Sequence, residues 1–146
     1  AVLGLTSAAL VVAGFWWVLW SAGWRPGDPV GAGSPLHEPY LRATTMTFAG
    51  IIACQIGTAL AARTDHVSLF SVGVLSNRLL LAGIAFELAL TAVAVYVPAA
   101  QRVLGTRALR LPELLVLACF PVVVWAVDEL YRLVGRRRAA TPVGDR

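Results

Sequence analysis

The chain has 146 residues, 58% of them hydrophobic and only 14% charged. A soluble domain carries roughly 25% charge, so the deficit excludes an ordinary water-soluble fold and points to a membrane protein. The net charge of +4 comes from arginines at the ends of apolar runs, with no basic and aromatic stripe. That pattern argues against nucleic acid as a partner and suits anchoring to the phospholipid head groups of a lipid bilayer.

The first predicted element is residues 1–20, "AVLGLTSAALVVAGFWWVLW", long enough to cross about 30 Å of hydrocarbon. A secretory signal would need a basic stretch before the apolar run, which is absent. Trp16, Trp17, Trp20 and Trp24 instead gather like an interfacial belt. A chain that opens on alanine inside a helix is expected to be a processed or truncated piece. The following "SAGWRPGDPVGAGSPLHEPYLR" is rich in Pro and Gly and reads as an irregular loop, with His37 solvated in it.

The second span covers about 43–62, "ATTMTFAGIIACQIGTALAA". Thr44, Thr47, Gln55 and Thr58 fall on a three-to-four-residue repeat, with 47 and 55 two repeats apart, and share one helix face. Small residues such as Gly50, Ala53 and Gly57 let neighbouring helices approach closely, and the threonines are expected to bond across the bundle. Gln55 is long and central, and its carbonyl oxygen is of the kind that binds a hard cation; interhelical bonding competes evenly with that role. The connection "RTDHVSLFSVGVLSNR" holds His66, expected to be solvated. Neither histidine has a second ligand at a metal-like spacing.

The third span, about 79–97, contains "GIAFELALTAVAVYV" with Glu87 as its one charge. A lone charge at mid-bilayer costs at least a few kcal/mol, so such residues are usually partnered and functional. Gly83, Thr91 and Ala94 make its face slim enough to pack against another helix. An ion or proton site is favoured over a purely structural glutamate. Helix arithmetic brings Glu87 to the depth of Gln55: Gln55 stands seven residues before Ala62, about 10 Å, and Glu87 eight after Leu79, about 12 Å. Cys54 and Cys119 lie in apolar runs and read as buried small hydrophobes, with no disulfide or metal framework.

After the connection "PAAQRVLGTRALRLP", the fourth span runs over about 113–131, with Pro121 predicting a kink. Near its end, Arg132 follows Asp128 by four residues and Glu129 by three, the spacing of an interfacial salt bridge. The expected fold class is therefore all-α, a polytopic four-transmembrane-helix bundle over 1–138 with a tail at 139–146. Placing the basic tail inside puts seven of the twelve arginines in the cytoplasm and five outside, in keeping with the positive-inside rule. Both termini are then cytoplasmic.

The stretches "TMTFAGIIACQIGTALAARTDHVSLFSVGVLSNRLLLAGIAFELAL" and "FPVVVWAVDELYRLVGRRR" carry a resemblance to the C-terminal membrane domain of cation-transporting P-type ATPases of the calcium and sodium/potassium type. Nearly the whole chain resembles the last four of their ten transmembrane helices. The resemblance implies cation ligands at three positions. Gln55 stands where calcium pumps have an ion-binding glutamate and sodium/potassium pumps a glutamine. Thr58 stands where sodium/potassium pumps have an aspartate of the third sodium site, and Glu87 matches the glutamate of that site. Threonine at 58 departs from that third site and glutamine at 55 from a calcium site, so the ion, monovalent or divalent, stays open.

The resemblance also implies partners: the remaining transmembrane helices and the cytoplasmic domains of such an ATPase. The DKTGT, TGE and GDG motifs are missing from this sequence, so no catalytic residue and no resident cofactor is assigned, and ATP hydrolysis by this stretch alone is not expected. A small structural or regulatory membrane protein that packs against a transporter is the rival reading. An intramembrane enzyme using Glu87 lacks the companion groups its chemistry requires.

Overall fold

A computed structural model describes residues 2–62 and 78–139, with side chains described through Val134. Five helices are present among these residues: α1 (Val2–Ser21), α2 (His37–Ala62), α3 (Arg78–Tyr96), α4 (Pro98–Leu104) and α5 (Leu111–Ala139). The described residues contain no strand, and α1, α2, α3 and α5 are each long and apolar enough to cross a membrane. His66, Arg63 and the tail from residue 140 lie outside the described residues.

Three boundaries differ from the expected ones. The second helix begins at His37 rather than near residue 43. Ser34 starts the turn that leads into it: the Ser34 carbonyl accepts the His37 N–H, and its hydroxyl accepts the Leu36 N–H. Pro39 falls in the first turn, where a missing N–H costs little. His37 is not a solvated loop residue; it is half-buried, with Nδ1 3.0 Å from the Val30 carbonyl. The stretch after the third span is not simply a connection, because Pro98–Leu104 form a short helix. Its signals are Pro98 at the first position and Gly105 at φ 67° just past the end, the asymmetry that helix termini favour. The last helix starts at Leu111 and runs through Pro121 to Ala139.

Helix α2 is the centre of the bundle, packing along α1 and α5, which also meet each other. Its contact with α3 is much smaller. Small residues explain why three helices come so close. Phe120 of α5 inserts against Gly14 of α1 and Gly50 of α2, where a Cβ would stand 3.2 Å and 3.0 Å from its ring. Lower down, a Cβ on Gly57 would stand 2.8 Å from the Cα and carbonyl oxygen of Pro121. The backbones of α2 and α5 touch there, so only glycine fits. Met46, Ala43, Val18, Leu19 and Val124 fill the rest of the core. At one end of α1, Trp16 meets Phe15, Trp20 and Trp24 with ring centroids 5.2–5.7 Å apart. Phe15 in turn meets Tyr40 edge-on, tying the end of α1 to the start of α2.

Candidate functional site between the second and third spans

Charged groups clamp α5 to α2 at both ends. Glu113 is the third residue of α5, and its carboxylate accepts the Arg110 N–H at 2.6 Å, the carboxylate half of a capping box. Its other oxygen lies 3.6 Å from Arg42 of α2, and both side chains are largely buried. Beside them, Arg107 binds Glu38 with Nε 3.0 Å from each carboxylate oxygen, while its backbone N–H donates to Thr45. At the opposite end, Arg132 pairs with Asp128 as its spacing predicts, and its guanidinium also donates to the Ala61 carbonyl at 2.8 Å. Terminal carbonyls of a helix have no intrahelical partner and form the negative end of its dipole, so a cation is well placed there.

The α2–α3 side is built differently. A cleft of about 630 Å³ separates the two helices, lined by Gln55, Ile56 and Ala59 from α2 and by Leu79, Leu80, Gly83, Ile84 and Glu87 from α3. Gln55 and Glu87 thus border the same space, with Glu87 half-buried and Gln55 exposed to the cleft and the surface. The rest of the cleft wall is apolar, so any polar ligand inside it would find these two side chains. Glu87 supplies a carboxylate and Gln55 a carbonyl oxygen or two N–H donors. Both oxygens suit a hard cation, and the amide could equally donate to the carboxylate.

Thr58 is placed elsewhere. It faces a second, largely apolar groove of about 690 Å³ between α1 and α2, shared with Ser7, Val11, Cys54 and Gln55. Gln55 therefore stands on the ridge between the two spaces, whereas Thr58 lines the α1 groove and not this cleft. The Thr58 hydroxyl donates to the Cys54 carbonyl one turn back. Thr44 and Thr47 likewise donate to Leu41 and Ala43 of their own helix, so these three hydroxyls do not bond across the bundle as expected. The back-bond satisfies a hydroxyl in an apolar medium without needing a partner helix.

Two other expectations change. Cys54 is buried, but Cys119 lies exposed on the outer face of α5. Among the described residues, nothing outside its own helix backbone packs on the slim face at Gly83 within 4 Å of where its Cβ would be. Among the described residues, no three His, Cys, Asp or Glu side chains gather as a metal site. A cation between Gln55 and Glu87 would need further oxygens from water or from other membrane helices. The charged pairs Arg42–Glu113 and Arg107–Glu38 escaped sequence reasoning, although Glu113 after Pro112 was a legible capping signal.

Comparison with known proteins agrees with this architecture. The chain is 37% identical over 98 residues to "Calcium-transporting ATPase 1" of Schizosaccharomyces pombe, covering 66% of this chain and 11% of that protein. It is 30% identical over 129 residues to human "Calcium-transporting ATPase type 2C member 2", covering 88% of this chain and 13% of that protein. The chain therefore spans about a tenth of the length of the curated relatives it matches. The sequence profile described as "Cation transporting ATPase, C-terminus" matches residues 1–134. With its four apolar helices in place, the chain belongs to the family of C-terminal membrane domains of cation-transporting P-type ATPases.

Proposed function

We propose that this domain supports the ion path of a cation pump and lends it Gln55 and Glu87 as ligands to the transported ion. The observation that carries the reading is the shared cleft, in which a carboxylate and a carboxamide border one space between two helices long and apolar enough to cross a membrane. A carboxylate there is costly unless it is partnered, which favours a cation or a proton as its occupant. Thr58 is a weaker candidate because it faces the α1 groove and its hydroxyl is engaged with its own helix. The names of the relatives, both calcium-transporting ATPases, favour calcium as the ion, and an oxygen donor set is compatible with that. In this reading both termini are cytoplasmic, and the missing ligands and the phosphorylated aspartate come from the rest of the pump.

The test is Glu87→Gln and Gln55→Ala in the full-length protein, with cation dependence measured by phosphorylation and by transport. Losing a charged ligand contact of about 1.5–3 kcal/mol raises the half-maximal cation concentration roughly 10- to 100-fold. Glu87→Gln should show that shift with phosphorylation from ATP retained at saturating cation. An unchanged cation dependence in both variants would remove the two residues from the ion path.

A further inference from the structure

The way α3 is held suggests how the width of the cleft is set. Its buried residues are Ala94 and Val95, at the end away from the cleft. There the chain must break, because Val97 precedes Pro98 and is extended at φ −86° and ψ 121°. Proline also lacks the N–H that would have bonded the Ala94 carbonyl in a continuing helix. The orphaned carbonyls are collected one by one: Thr106 donates its hydroxyl to Ala94, and Gln101 its side-chain amide to Val95. The Tyr96 hydroxyl donates to Leu109, and Thr106 itself is 7% exposed. Arg107, the next residue, is bonded to Thr45 and Glu38 of α2. The end of α3 is therefore fastened to α2 through a chain of hydrogen bonds that runs along 105–110.

We propose that α3 is a lever pivoting at Ala94–Tyr96, with Thr106 and Gln101 as positioning residues that set the opening between Glu87 and Gln55. Glu87 is seven residues from Ala94, about 10 Å along the axis, so a tilt of about 10° moves it by about 2 Å. Among the described residues, nothing outside its own helix lies within 4 Å of a Cβ at Gly83, which leaves room for such a movement toward α2. Small changes among the polar contacts outside the cleft would thus be felt inside it. The lever stands on the anchoring of α3; only its consequence for ion affinity rests on the function proposed above.

The experiment uses the full-length protein in lipid nanodiscs, with other reactive cysteines replaced and spin labels at Ala59→Cys and Gly83→Cys. Thr106→Val should shift the 59–83 distance by a few ångström or broaden its distribution about twofold, and Thr106→Ser should restore it. Gln101→Met should change the distribution in the same direction by less, which keeps the test open should Thr106→Val fail to fold. A control pair at Phe48→Cys and Leu115→Cys across α2 and α5 should not change. Superimposable 59–83 distributions in both variants, or equal changes in the control pair, would overturn the lever. If the distances move while the half-maximal cation concentration does not, the lever stands and the assignment of Gln55 and Glu87 to the ion fails.

Discussion

Helix α2 meets α5 and α3 on terms that differ in every respect that governs rigidity. Against α5 it is held at three heights: Arg42 to Glu113, Gly57 against the Pro121 backbone, and the Ala61 carbonyl to Arg132. Against α3 it leaves a cleft of about 630 Å³, and beyond the Ala94 end the Thr106 hydroxyl holds the Ala94 carbonyl. In lipid, helices gain little from apolar burial, so close backbone packing and hydrogen bonds decide which contacts are tight. The α2–α5 seam has both. The α2–α3 cleft offers a carboxylate and a carboxamide instead, the two side chains on which the proposed ion site rests.

The contrast breaks first at the seam. Glu113→Ala leaves Arg42 buried without its partner and removes the acceptor of the Arg110 N–H. Removing one member of a buried pair costs about 3–5 kcal/mol. The expected result is a clear fall in the thermal midpoint of the purified protein in detergent, and a smaller fall for Glu113→Gln. An unchanged midpoint would show that the clamp does not hold the bundle.

Next in size is a pair of identical changes at two glycines. Gly57→Ala forces a methyl into the Pro121 backbone, an overpacking that costs about 1–3 kcal/mol. Gly83→Ala meets nothing within 4 Å among the described residues outside its own helix and gains up to about 1 kcal/mol of helix propensity. Thermal unfolding of the two variants side by side should move in opposite directions. Equal losses would mean that the α3 face is packed as tightly as the seam.

Much of this organisation is legible in the sequence, and the exceptions have physical reasons. The four spans follow from the lengths of their apolar runs, because a bilayer allows few other ways to bury them. The Asp128–Arg132 pair is local, four residues apart on one helix, so its spacing announces it. Arg107 and Glu38 are 69 residues apart, and only the fold brings them together. The threonines of α2 mark a polar face correctly but not the direction of their bonds, because a hydroxyl has an acceptor in its own preceding turn as well as across the bundle. Helix α4 carried its punctuation in plain view, Pro98 at the start and Gly105 after the end, in a segment too short for periodicity to reveal. Equal depth for Gln55 and Glu87 follows from arithmetic on antiparallel helices, but depth alone leaves their faces undetermined. The cleft supplies the faces.

The most direct test of this arrangement is proximity itself. In the full-length protein, Gln55→Cys combined with Glu87→Cys should be joined rapidly by a short bifunctional thiol reagent. Gln55→Cys combined with Phe86→Cys, whose side chain is 66% exposed and adjacent in sequence, should react far more slowly. A faster 55–87 reaction is the predicted result. Equal rates, or a faster 55–86 reaction, would contradict the shared cleft and leave Glu87 facing a different partner.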